Sequence, residues 1–205
     1  MRKLWVIVLT MLMVFGAAGC GSESGKAEEK ATSSVNTQQA KPAEAKGKIL
    51  VAYFSATGNT KALAETTAKA LGADLYEIKP EQPYTSQDLN YNDETTRATV
   101  EQKDDKARPG LADKNAKIAD YETIVLAYPI WWAQAPRIID NFVESYDFSG
   151  KKMTAICTSG GSDIGSSADY LKELTKGKAD WKPGKLFSPQ ASAEEIKGWF
   201  SSLGF

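Results

Sequence analysis

The chain has 205 residues, a quarter of them charged, and its 25 Lys and Arg nearly balance 26 Asp and Glu. It carries no histidine and only two cysteines, Cys20 and Cys157, which excludes a histidine-based triad and a histidine metal site. Residues 48–205 hold 19 Lys and Arg against 22 Asp and Glu, a net −3, so no polyanionic partner and no nucleic acid is expected.

At the N-terminus, Arg2 and Lys3 precede the apolar run LWVIVLTMLMVFG, and AAGC follows at 17–20. A short basic start, an apolar run of 13 residues and a small-residue site form a signal peptide over 1–20. The run is too short for a comfortable membrane span, which needs about 20 apolar residues. Ala17-Ala18-Gly19-Cys20 is similar to a bacterial lipoprotein processing site. That likeness implies lipidation at Cys20 and an exported chain anchored to the outer face of the cytoplasmic membrane. Ala17 departs from the leucine usual there, and an uncleaved anchor or plain secretion are the alternatives. A lipidated Cys20 leaves no partner for an intrachain disulfide. Residues 21–47 contain no aromatic side chain and Val35 as their one large aliphatic; such a stretch cannot offset its ordering entropy by burial and reads as a flexible linker.

From 48 onward, strand-like and helix-like segments alternate. KILVAYF (48–54) reads as a strand buried on both faces. A helix then follows from Thr60, with Leu63, Thr67, Ala70 and Leu71 inward and Gly72 as its stop. ADLYEIKP (73–80) alternates like a half-buried strand. Residues 81–120 are polar and irregular around Tyr84, Tyr91 and Arg108-Pro109, with room for one helix. TIVLAYP (123–129) is a second buried strand, and RIIDNFVESY (137–146) is a helix with Ile138, Ile139, Phe142 and Val143 inward. KMTAICT (152–158) is another apolar strand. Ser166 and Asp169 then have capping-box spacing for a helix to about Thr175. KLFSP (185–189) is a short strand, and a Ser192/Glu195 capping box opens a final helix. This alternation predicts an α/β fold, a parallel sheet covered by helices on both faces.

In such a sheet ligands bind beyond the C-terminal strand ends, and three strand ends carry unusual loops. After the first comes SATGNT (55–60), which is either a plain polar turn or a phosphate cage built from hydroxyls, the Asn59 amide and free helix N–H groups. It lacks the lysine of GxxxxGK[ST] and is not GxGxxG, so neither a nucleoside triphosphate nor a dinucleotide is expected. After 123–129 comes PIWWAQAP. One tryptophan can pack on the following helix, while a planar aromatic ligand would cover the other. After 152–158 comes TSGGSDIG, in which Gly160 and Gly161 either let backbone approach a ligand or make an ordinary loop.

S-A-T-G-N-T, P-I-W-W and T-S-G-G at these three places resemble the flavodoxin family, and the resemblance spans 48–205. It implies a three-layer, doubly wound sandwich around a five-stranded parallel sheet in order 2-1-3-4-5, with bound FMN. By position, Ser55, Ala56, Thr57, Gly58, Asn59 and Thr60 would hold the phosphate. Pro129, Ile130, Trp131 and Trp132 would lie along the isoalloxazine, and Thr158, Ser159, Gly160, Gly161 and Ser162 would cover its pyrimidine side and the ribityl chain. The domain departs from the family in being only mildly acidic. It also has Ala133 where glycine is common, and alanine resists positive φ. Both departures lean toward two-electron work.

Flavin chemistry needs no catalytic side chain, because the isoalloxazine itself accepts electrons or hydride. The leading expectation is an FMN-binding protein that passes electrons to a redox partner protein. The alternatives are an FMN-dependent oxidoreductase of the same fold, acting on a quinone or a nicotinamide donor, and an FMN-free scaffold module. Cys157 reads as a small buried hydrophobe, and Asp163 as a helix cap or a solvent-exposed group.

Overall fold

The computed structural model describes residues 47–205; the expected signal peptide, Cys20 and all of the expected linker but Gly47 lie outside the described residues. The chain runs β1 (Ile49–Tyr53), α1 (Asn59–Leu71), β2 (Asp74–Glu77), α2 (Arg97–Lys103), a 3₁₀ turn (Ile118–Asp120) and β3 (Thr123–Pro129). It continues through α3 (Arg137–Ser145), β4 (Lys152–Thr158), α4 (Ser167–Leu174), β5 (Asp180–Trp181), β6 (Lys185–Leu186) and α5 (Ala193–Ser202). The strands form one parallel sheet in order β2-β1-β3-β4-β5, with β6 also paired to β4.

Alternation along the strands divides the core into two layers, since successive side chains point to opposite faces. Leu50, Ile124, Leu126, Tyr128 and Met153 pack with Ile138, Ile139 and Phe142 of α3 and Leu171 of α4. Val51, Val125, Ala127 and Ile156 pack on the other side with Leu63 and Ala64 of α1 and Ile196 and Phe200 of α5. β1 and β3 are therefore buried on both faces, whereas β2 is a sheet edge with Leu75 exposed. In α1 the fully buried positions are Thr60, Leu63, Ala64, Thr67 and Ala68, so the inward stripe lies on Ala64 and Ala68 rather than on Ala70 and Leu71. Gly72 stops the helix in left-handed backbone at φ 64°, the conformation glycine adopts without penalty.

Two expectations are corrected near the C-terminus. The fifth sheet position is filled by two short segments, β5 and β6, rather than by one strand at 185–189. Pro183 lies between them and has no N–H for a ladder, and its carbonyl accepts instead from the Thr154 hydroxyl at 2.7 Å. Gly184 makes this crossing possible: an added Cβ would sit 2.6 Å from Ile164 Cδ1 and 3.0 Å from the Ala155 carbonyl oxygen. The Ser166/Asp169 capping box does not form. Ser166 precedes α4 at φ −90°, ψ 7° with no capping bond, outside the extended region a capping serine needs, and its hydroxyl accepts from Gln134 Nε2. The second box is half present: Ser192 Oγ accepts from Glu195 N at 3.1 Å.

Candidate functional site

The C-terminal ends of β1, β3 and β4 bring the three loops together. Beyond β1 the chain turns into α1 through Gly58 at φ 91°, and Ser55 Oγ fixes that turn by accepting from Gly58 N at 3.1 Å. Helix geometry leaves the first N–H groups of α1 unpaired. Among the described residues, no backbone or side-chain acceptor takes the N–H of Asn59 or Thr60. The Thr60 hydroxyl is 2.8 Å from that of Thr158, and both side chains are buried. This pair ties the first loop to the third. The backbone ties the second loop to the third, through Ile130 N donating to Thr158 O at 2.9 Å.

The tryptophan loop is a two-residue reversal. Trp131 and Gln134 exchange both backbone hydrogen bonds, at 2.9 and 3.0 Å. Between them Trp132 and Ala133 both lie in left-handed backbone, φ 46° and 62°. Such a turn favours Asn-Gly, and left-handed backbone costs an ordinary residue roughly 1–2 kcal/mol. Ala133 thus adopts the positive φ that alanine was expected to resist. Neighbouring contacts hold the strain in place. Gln134 Nε2 donates to Ser166 Oγ at 3.2 Å, and Gln102 Nε2, buried in α2, donates to Ala135 O at 3.1 Å.

The two tryptophans have separate roles. Trp131 is buried and meets Phe54 and Tyr84 edge-on, with centroids 5.5 and 5.2 Å away. These partners lie just after β1 and in the β2–α2 connection, and Trp131 shares one core with Ala135 and Ile138 at the start of α3. Trp132 stays 38% exposed and lies against Tyr91, itself 53% exposed, at 4.7 Å. In the third loop Ser159 Oγ accepts from Gly161 N and Ser162 N. An added Cβ at Gly160 or Gly161 would meet no atom of the chain within 4 Å. Packing within the chain therefore does not call for glycine there, and the space beside both is open.

These loops enclose a cleft of about 490 Å³. Every residue assigned to the site from sequence lines it except Ser55 and Gly58, which shape the turn behind it, and Leu89, Tyr91 and Pro189 join it. Leu89 and Tyr91 come from a connection with no periodic signal, where Tyr91, an aromatic side chain in a polar stretch, was the one available hint; Pro189 ends the segment read as a strand at 185–189. No Asp, Glu, Lys or Arg lines the cleft. Beneath the loop, buried Asp140 pairs with buried Arg137 at 3.2 Å. Burial pushes the Asp140 carboxyl above its ordinary range, against the opposing pull of Arg137 and Arg108. Cys157 is buried and free, its thiol pushed up to about 12 by burial and then by the charge of Asp163. That removes it from thiolate chemistry. Asp163 is exposed and accepts from Ile164 N, the residue after it. No group of three or more potential metal ligands occurs among the described residues.

An open parallel sandwich with a neutral cleft at its strand ends, free N–H groups and hydroxyls at one end and aromatic rings at the other, defines a protein for a planar, phosphate-bearing ligand. Comparison narrows the class. The flavodoxin family matches residues 48–203, and the chain belongs to that family. Its domain is similar to a proposed flavoprotein from Bacteroides eggerthii, with 44% identity and a TM-score of 0.74 over 78% of this chain and 99% of that one. A proposed flavoprotein from Bacteroides uniformis is similar at 43% identity and a TM-score of 0.71, over 76% of this chain and 98% of its own. A flavoprotein from Lactobacillus acidophilus, solved in complex with FMN, shares the fold at 19% identity and a TM-score of 0.58, over 76% of this chain and 99% of its own. No curated protein matches the chain. The cofactor of flavodoxins is FMN, and the residues here fit it: unpaired N–H groups beside Thr57 and Asn59 suit a phosphate, and the aromatic wall with its facing glycines suits a flat ring.

Proposed function

We propose that this chain is an FMN-binding redox protein, exported and tethered by lipid at Cys20, that passes electrons through the bound cofactor to a partner outside the cytoplasmic membrane. One observation carries the FMN reading. Three loops far apart in sequence converge on one uncharged cleft whose phosphate end is a helix start with free donors. Bound FMN would supply the electron chemistry, and the chain's own residues position it. Thr57 and Asn59 would bond the phosphate, with the N–H groups of α1 beside them and the helix dipole favouring its charge. The Thr60–Thr158 pair would hold the phosphate loop and the glycine loop at fixed separation. Trp131, locked by Phe54 and Tyr84, would give the ring a rigid edge that excludes water. Export and tethering rest on the signal-like segment and on Ala17-Ala18-Gly19-Cys20.

The test is a visible spectrum of the purified full chain after FMN addition and removal of free flavin, followed by anaerobic reductive titration. Stoichiometric retained flavin that reduces and reoxidises is expected. A chain that retains none is not a flavin carrier. Metabolic labelling with a radioactive fatty acid should mark the wild-type chain and spare Cys20→Ser, and equal labelling of both would refute the anchor.

A further inference from the structure

Helix α2 turns a valine out and a glutamine in. Val100 is 54% exposed, while Gln102 is 6% exposed and shares the inward face with Ala98 and Thr99. A buried amide is costly unless it is hydrogen-bonded, so the bonds of Gln102 identify what it does there. Its Nε2 donates to Ala135 O at 3.1 Å, and its backbone carbonyl accepts from Arg137 Nη2 at 3.1 Å. Arg137 is held in turn by buried Asp140, whose Oδ2 also accepts from the Tyr170 hydroxyl of α4 at 3.3 Å. Gln102 Oε1 has no partner among the described residues. The donor half of the amide is therefore the half that bonds, and its acceptor is the residue just after the tryptophan turn.

That turn is strained. Trp132 and Ala133 both stand in left-handed backbone, a state that persists where the surroundings impose it. Gln102 does not line the cleft, whereas Ile130, Trp131 and Trp132 do, so its bond acts on a ligand through the turn. We propose that Gln102 is a positioning residue for the cofactor: by anchoring Ala135 it sets how much of the chain has the tryptophan turn in the form that receives FMN. The assignment rests on the FMN reading and puts control of that site in α2, a helix with no residue in the cleft lining. Apparent affinity scales with the fraction of chain in the competent form. Loss of one neutral hydrogen bond shifts such an equilibrium about three- to tenfold.

The test is flavin-fluorescence titration of the cofactor-free full chain with FMN, for wild type, Gln102→Met and Phe148→Leu. Methionine keeps the length of the side chain and removes the donor. Gln102→Met should bind FMN about three- to tenfold more weakly than wild type. Phe148 lies in the core just before β4, at the end of the sheet away from the cleft. Phe148→Leu should therefore stay within about twofold, which separates positioning from a general loss of stability. A second readout needs no cofactor. In the turn Gln134 N donates to Trp131 O, and by NMR this amide should exchange with solvent faster in Gln102→Met and no faster in Phe148→Leu. A wild-type chain that takes up no FMN overturns both this proposal and the reading beneath it. A chain that binds FMN with unchanged affinity in Gln102→Met, or loses as much in Phe148→Leu, overturns this proposal alone. So does an unchanged exchange rate at Gln134.

Discussion

The hydroxyl pair between Thr60 and Thr158 offers a sharp test of how the site is held. Thr60 is 1% exposed and Thr158 3%, with 2.8 Å between their oxygens, so neither hydroxyl has water as a substitute partner. Replacing one threonine by isosteric valine leaves the other hydroxyl buried without its partner, which costs about 1–3 kcal/mol. Replacing both removes the polar groups together and should be nearly neutral. The ordering expected from urea unfolding of the full chain is therefore unusual: Thr60→Val and Thr158→Val each lose about 1–3 kcal/mol, while the double variant loses less than either alone. Valine keeps the β-branch, so helix and strand propensity change little. If the single variants stay within about 0.5 kcal/mol of wild type, or their losses add, the hydroxyls are satisfied some other way and the tie does not exist.

Removing both phosphate-facing side chains, Thr57→Ala with Asn59→Ala, should weaken FMN binding by about 2–3 kcal/mol, roughly 30- to 150-fold, and unchanged affinity by flavin-fluorescence titration would refute their assignment. Gly184→Ala should cost about 1–3 kcal/mol by overpacking against Ile164 and the Ala155 carbonyl, read as a lower denaturation midpoint. At Ala133, left-handed backbone costs alanine roughly 1–2 kcal/mol, while the extra unfolded freedom of glycine takes back about 0.4–1. Ala133→Gly should therefore stabilise slightly, against the usual destabilising trend, and a clear loss in the same assay would show the turn to be relaxed. Cys157, ordinarily near 9 and pushed to about 12 in the fold, should resist a thiol reagent at pH 8 until the protein unfolds. Because its folded pKa is the higher one, the stability it contributes is fully present below pH 9 and lost between 9 and 12.

The sequence carried most of the sheet in plain sight. β3 coincides with TIVLAYP and β4 with KMTAICT, because a strand buried on both faces must be apolar at consecutive positions and few other elements of that length are. α1 was bounded by Gly58 and Gly72, two glycines at φ 91° and 64°, where the conformation itself selects the residue. The split fifth strand could not be read in the same way. Each half pairs over only two residues, too short for any periodicity, and its path depends on how closely Gly184 approaches Ile164.

The conformation of the tryptophan loop and the burial of its root were not legible, and for one cause: their residues break local rules under tertiary constraint. Trp132 and Ala133 fill a turn whose local preference is Asn-Gly, and the bonds at Gln134 and Ala135 help hold them there. Arg137 and Asp140 look like an exposed pair at the start of a helix, yet the pair is buried, with Gln102 O and Tyr170 as further partners. Both departures meet at one place, the root of the tryptophan loop. Local rules are broken where surrounding structure overrides them, and such places concentrate at functional sites. The buried polar groups beneath the loop fit that pattern: among the described residues, the buried side-chain atoms without a partner are Gln102 Oε1, Gln134 Oε1, Arg137 Nε and Asp140 Oδ1, all around that root. Buried polar groups ordinarily find a partner, so this cluster marks the root of the turn as the least locally determined part of the core.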